Sequence, residues 1–204
     1  MAFVRRPRGE YAKTADRRAE ILDAAIKVFS EAGFHGGSLR EISQRVGMSQ
    51  PGLLHHFANK ELLLEAVLTY RDDLAMERIG SEMPTGAALL DALVALTDYN
   101  ATTPGLVALF AVLSGEATAT DHPGHGYFRQ RYTWVRTLVE EAVVTGRATG
   151  ELRPELDPTQ VARTMIALLD GLQIQWLYED SGFDMTVPLT AYVDSLRTPP
   201  RPAQ

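Results

Sequence analysis

Ser38–Lys60 reads SLREISQRVGMSQPGLLHHFANK, and this stretch decides the fold. Ser38 can cap a helix, with Glu41 three residues on in the capping-box position. Ile42 and Val46 fall on one face at i, i+4 spacing. Gly47 stands where a helix ends in a left-handed residue, a conformation that glycine adopts without steric cost. Met48 can plug the inside of the turn. Ser49 is a second N-cap, and Pro51 sits in the first turn that follows, where a missing N–H costs nothing. Leu53 and Phe57 point inward. Two short helices joined by a tight turn, the second carrying small, polar and imidazole side chains, is the layout of a DNA-reading helix-turn-helix.

The chemistry of the second helix suits a major groove. Gln50 can pair with adenine in bidentate fashion, and Pro51 and Leu54 can touch thymine methyls. Gly52 lets backbone approach closely. His55, His56 and Lys60 can meet phosphates, and Arg40 and Ser49 belong to the same surface.

Charge supports a two-part chain. The 204 residues carry a net charge of −6, yet residues 1–60 hold ten Lys or Arg against six acids. The remainder holds ten against twenty, so a basic head (1–60) sits on an acidic body (61–204). Arg5, Arg6 and Arg8 form a basic arm that suits phosphates or a minor groove, and equally a solvated tail. The absence of Cys excludes disulfides and thiolate metal sites. With no apolar run long enough to span a membrane and no signal core after the basic start, a cytoplasmic protein is expected.

Before the motif, residues 15–33 read as a helix with Ile21, Leu22, Ala25, Val28, Phe29 and Ala32 as its apolar stripe. Gly33 is the stop and Phe34 folds back. After the motif, Asn59 caps a long fourth helix over 60–82. Pro- and Gly-containing breaks then delimit five helical segments, 86–101, 104–119, 124–148, 157–179 and 185–197. The expected fold is all-α with nine helices: a three-helix DNA-binding head and a helical body.

Helix 157–179, capped by Asp157 with Pro158 after it, is apolar on two faces. One stripe holds Val161, Met165, Leu168, Leu172 and Trp176; the other holds Ala162, Ile166, Ile174 and Leu177. The last segment offers Met185, Leu189, Tyr192, Val193 and Leu196. A pairing surface built from Leu172, Trp176, Leu189, Tyr192, Val193 and Leu196 would make a homodimer by a four-helix bundle; the competing reading is that both helices complete the core of the single chain. Pairing suits a single helix-turn-helix, whose few base contacts double on a palindromic site of double-stranded DNA.

Segments 104–119 and 124–138 are rich in aromatics. Leu109, Phe110, Leu113, Tyr127, Tyr132, Trp134, Met165, Leu169 and Gln173 are candidates for an apolar pocket, with Glu116, Arg129, Arg131, Asp170 and Gln175 adding polarity; ordinary core is the competing reading. His122 and His125 flank Pro-Gly without helical metal-ligand spacing, so no metal or other cofactor is expected. No nucleophile stands beside a base, which argues against an enzyme.

The run ILDAAIKVFSEAGFHGGSLREISQRVGMSQPGLLHHFANKELLLEAV resembles the N-terminal domain of TetR-family (tetracycline-repressor type) transcriptional regulators. Ser38 stands where the family usually has Thr, a phosphate contact. Gly47-Met48-Ser49 is similar to its turn. Leu54 departs from the family's common Tyr, which shifts phosphate binding toward His55 or His56. The resemblance implies a dimer paired through its last two helices and a cavity for a small, mainly apolar effector. It also implies ligand-released repression transmitted by the fourth helix. An effector-independent DNA-binding or protein-partner adaptor, with a filled helical core, is the alternative.

Overall fold

The computed structural model describes residues 8–80 and 82–199. Among them the chain forms α1 (Arg8–Gly36), α2 (Leu39–Val46), α3 (Gln50–His56) and α4 (Lys60–Ile79). The body follows as α5 (Ala87–Ala101), α6 (Pro104–Glu116), α7 (His125–Thr149), α8 (Pro158–Tyr178) and α9 (Thr186–Leu196). The nine expected helices are present. Arg5 and Arg6 of the basic arm lie outside the described residues, and Arg8 opens α1.

α1 starts seven residues earlier than the apolar stripe suggested, over the segment RGEYAKT, which contains no Pro. Near its end the backbone leaves helical geometry at Gly33 (φ 67°, ψ −174°). That value of φ favours glycine, and the break turns Phe34 back onto Phe29, with ring centroids 6.1 Å apart. Ala32, expected on the buried stripe, is exposed, whereas Ala24 and Ile26 are buried. The buried arc is wider than one stripe because α1 packs against α2 and α4 and also against α6.

The head's core does not close at residue 60. Ile21, Phe29, Ile42 and Leu53 form one apolar cluster with Leu63, Leu64, Val67 and Leu68 of α4. The same cluster takes in Leu109, Phe110 and Leu113 of α6 and Phe128 of α7. α4 is thus a structural member of both parts.

The second cluster joins α5, α7, α8 and α9, and it corrects the expected pairing surface. Leu172, Trp176, Leu189, Val193 and Leu196 are buried inside the protomer. Tyr192 is half-buried and donates from its hydroxyl to the Val161 carbonyl at 3.4 Å. The physical reason is that α9 lays its apolar stripe on α5 and α8, so the chain itself consumes it. Arg197 fixes the end of α9 to α5 by an ion pair with Asp91 at 2.5 Å. What faces out is different: Ile174 (46% exposed) and Tyr178 (87%) on α8, and Val187 (64%) on α9.

Candidate DNA-reading surface and effector cavity

Local hydrogen bonds build the helix-turn-helix as its sequence dictates. The Ser38 hydroxyl accepts from Glu41 N–H at 3.1 Å and the Ser49 hydroxyl from Gly52 N–H at 3.2 Å. Gly47 is left-handed (φ 70°, ψ 36°), and Asn59 Oδ1 accepts from Leu62 N–H at 2.8 Å to start α4. Glu41 accepts from Arg45 at 3.0 Å, and Arg45 also reaches Glu31 of α1 at 2.6 Å. Ile42 and Leu53 are fully buried and Phe57 nearly so. With those three anchored, Ser38, Arg40, Ser49, Gln50, Pro51 and His55 are exposed, and Gly52, Leu54 and His56 are half-exposed beside them. Each capping serine accepts through its oxygen and keeps its O–H as a donor, which suits a phosphate.

Two residues of this surface differ from expectation. Lys60 turns back to the end of α1: its Nζ donates to the His35 carbonyl at 3.4 Å and lies 4.5 Å from the centre of the Phe34 ring. Burial lowers its pKa, against the charges of Glu61 and Glu116. Burial likewise lowers the pKa of His56, with the neighbouring His55 and Arg18 acting in the same direction. His56 therefore offers a neutral-ring hydrogen bond at neutral pH more than a charge. Arg18, absent from the sequence-derived surface, holds α3 in place. Its Nη1 donates to the His56 carbonyl at 3.0 Å and its guanidinium lies 4.2 Å from the centre of the Phe57 ring.

Head and body meet at the α1 break. The Glu116 carboxylate accepts from Phe34 N–H at 2.7 Å, and a Cβ on Gly33 would fall 1.9 Å from Glu116 Oε1. His122 is buried, with Nε2 3.5 Å from Glu116 Oε2 and its ring against Phe34. Burial lowers its pKa despite Glu116. His125 instead faces the Ala117 carbonyl, 2.8 Å from Nδ1.

Inside the body lies a cavity of about 350 Å³, lined from α4, α5, α6, α7 and α8. Five of the nine pocket candidates line it: Phe110, Tyr132, Trp134, Leu169 and Gln173. Leu109, Leu113 and Met165 do not; each is fully buried against other helices as ordinary core. Tyr127 stands behind the wall, its hydroxyl donating to Asp72 Oδ2 at 2.5 Å.

The wall also holds charge. Arg71 is buried, its guanidinium 4.2 Å from the centre of the Phe110 ring, and Nη1 reaches Asp72 Oδ1 at 3.3 Å. Arg131 donates to the same oxygen and lies 5.4 Å from the same ring centre. Burial first, then the charge of Arg131, pull the Arg71 pKa down to about 10, so it remains a cation at neutral pH. On α8, Asp170 accepts from the Tyr132 hydroxyl at 2.7 Å, and burial raises its pKa. Gln173 donates to the Leu169 carbonyl at 3.0 Å, while its Oε1 is buried without a partner among the described residues.

Arg71 and Asp72 were missed because Arg71-Asp72-Asp73 reads as a solvated patch on a helix. A signal existed: Arg71 continues the Leu64–Leu68 spacing toward Ala75, a charge on an apolar stripe.

Comparison with known proteins agrees with this arrangement. Residues 21–67 match the model of bacterial regulatory proteins of the tetR family, and residues 86–197 that of the BetI-type transcriptional repressor C-terminal domain. The chain belongs to the TetR family. It is a DNA-binding transcriptional regulator. The regulator UidR of Escherichia coli K12 is 25% identical over 156 residues, 76% of this chain and 79% of that one. Among solved structures, FadR of Bacillus subtilis in complex with stearoyl-CoA superposes with a TM-score of 0.72 at 18% identity, over 88% of this chain and 97% of that one. A regulator from Saccharomonospora viridis in complex with choline gives 0.75 at 22%, over 91% and 100%. Among the described residues no helix is long and apolar enough to cross a membrane.

Proposed function

We propose that this TetR-family regulator is a dimeric repressor that leaves a palindromic operator when a small molecule fills the body cavity. The observation that carries the reading is the double duty of α4. Its first half, through Leu63, Leu64, Val67 and Leu68, is core of the head, and its second half, through Arg71, Asp72, Ala75 and Met76, is wall of the cavity. A ligand pressing on that wall acts on the element that seats α1 to α3. The alternative adaptor would need a filled core, which the cavity disfavours.

Ser38, Arg40, Ser49, Gln50, Pro51, Gly52, Leu54, His55 and His56 make the DNA surface. Gln50 and Leu54 read bases, and the serines, Arg40 and His55 position the helix on phosphates. Pairing uses the outward face of α8 and α9, with Ala167, Ile174 and Tyr178 beside Val187 and Ala191. In such a dimer the two α3 helices enter successive major grooves about 34 Å apart, and the ligand favours a state in which that separation is wrong. Converting full occupancy into full release takes a preference of about 5.5 kcal/mol between the two states.

The test is fluorescence anisotropy with a palindrome from the promoter of this protein's own gene. Gln50→Ala should weaken that site far more than random DNA. Equal loss on both would remove Gln50 from base readout. Ligand-independent binding across a panel of small molecules, with a cavity that stays empty, would favour the adaptor.

A further inference from the structure

We propose that the cavity takes a small amphipathic monoanion, a carboxylate on an aliphatic or aryl body, whose head sits on Arg71 and Arg131. The proposal rests on the effector-cavity reading above and names the chemistry of the ligand.

The first argument is charge. Two guanidiniums share one carboxylate, that of Asp72, and flank one ring, Phe110. The other carboxyl of the wall, Asp170, is engaged by the Tyr132 hydroxyl, and burial favours its neutral form. At the polar end of the cavity two guanidiniums thus share the one carboxylate of Asp72, while the Asp170 carboxyl is held by Tyr132, so a bound carboxylate would give the second guanidinium a partner of its own.

The second argument is hydrogen bonding. A guanidinium has five N–H donors in a planar fork that matches a carboxylate. Among the described residues Arg71 makes one side-chain hydrogen bond, the long one to Asp72 at 3.3 Å, although its side chain is only 10% exposed. The rest of the Arg71 fork has no protein acceptor among the described residues, and Arg71 stands on the wall of the cavity, where a bound carboxylate would supply one. The neighbouring wall, with Ile79, Leu96, Trp134, Leu138 and Ile166, is apolar and would take the body of the ligand. At about 350 Å³ the space lies at the low end of ligand cavities, which run from about 300 to 1,000 Å³. A quaternary ammonium such as the choline bound by the S. viridis regulator would face both arginines, so the same fold would here select the opposite sign of charge.

Three probes that share a tail decide the matter: octanoate, 1-octanol and octyltrimethylammonium, titrated calorimetrically into the full chain without DNA. Octanoate should bind at least tenfold tighter than octanol, and the ammonium should give no heat of binding. Arg71→Met, which keeps the aliphatic stem, should narrow the octanoate–octanol gap at least tenfold. Arg131→Met serves as the second variant should Arg71→Met fail to fold. Octanol or the ammonium binding as tightly as octanoate, or octanoate failing to bind, overturns the proposal. Operator release is read separately: octanoate that binds without changing operator affinity supports the anion site and sinks effector release. Release by an uncharged molecule, with no octanoate binding, does the reverse.

Discussion

The head and the cavity treat charge in opposite ways. In the head, Arg45 and the acids that neutralise it, Glu31 and Glu41, sit at the surface, and the side chains of Ile42 and Leu53 inside are fully buried and apolar. In the body, Arg71, Asp72, Arg131 and Asp170 are drawn inward around space that protein atoms leave empty. A buried charge is costly unless paired, so a fold that buries Arg71 and draws Asp72, Arg131 and Asp170 in beside it on a cavity wall is organised for something other than stability. The head is built to hold one shape; the cavity is built to be completed.

The largest effect is expected from packing. Leu53→Ala removes a fully buried side chain from the dense head and should cost about 2–5 kcal/mol by chemical denaturation. Leu138→Ala, on a wall already facing space, should cost well under half of that. Equal losses would mean that the cavity closes in solution. Next comes the hinge between the two regions. Gly33→Ala forces a side chain into a left-handed position and against Glu116, and should destabilise by about 1–3 kcal/mol. Glu116→Ala on the same background should recover less than the clash costs, because it removes the clash but also the acceptor of the Phe34 N–H, and the φ strain stays.

On the DNA side, Gln50→Ala should cost about 1–3 kcal/mol at the operator, read by anisotropy, with an unchanged melting temperature. A lowered melting temperature would make Gln50 structural. For pairing, Ile174→Asp with Val187→Asp should yield folded monomers by light scattering, whereas Leu189→Asp should unfold the protomer. A folded Leu189→Asp monomer would restore the buried stripe as the interface.

The smallest effect is a pH dependence at the head–body contact. Folded His122 releases its proton more readily than the unfolded chain does, so the unfolded chain binds more protons below the ordinary value of 6.5. Its contribution to stability is intact above that pH and falls away as the pH drops toward the lowered value. His35, Glu116 and Asp121 face it. Melting curves between about pH 7.5 and 5.5 should therefore drop more for the wild type than for His122→Gln. Parallel curves would acquit His122.

The head was legible because its instructions are local. Ser38, Gly47, Ser49 and Asn59 each act within three or four residues, and the structure places a cap, a left-handed turn or a helix start at each. Asp157 capped α8 as read, accepting from Thr159 and Gln160. The pocket was half legible. Aromatic content found Phe110, Tyr132 and Trp134, but periodicity does not tell a residue beside a void from one beside a neighbour, so Leu109, Leu113 and Met165 were counted in.

By itself, then, the sequence determined the nine helices, the turn between α2 and α3 and the outward face of the recognition helix, because caps and apolar periods act over one or two turns. Tertiary structure alone decided three things. Lys60 is held at α1 rather than offered outward. The apolar stripe of α9 closes its own protomer. Arg71 meets Arg131, sixty residues on in the chain, around one carboxylate and one ring. Each depends on which face of one helix meets which face of another, and that is fixed by packing across long separations rather than by any neighbouring residue.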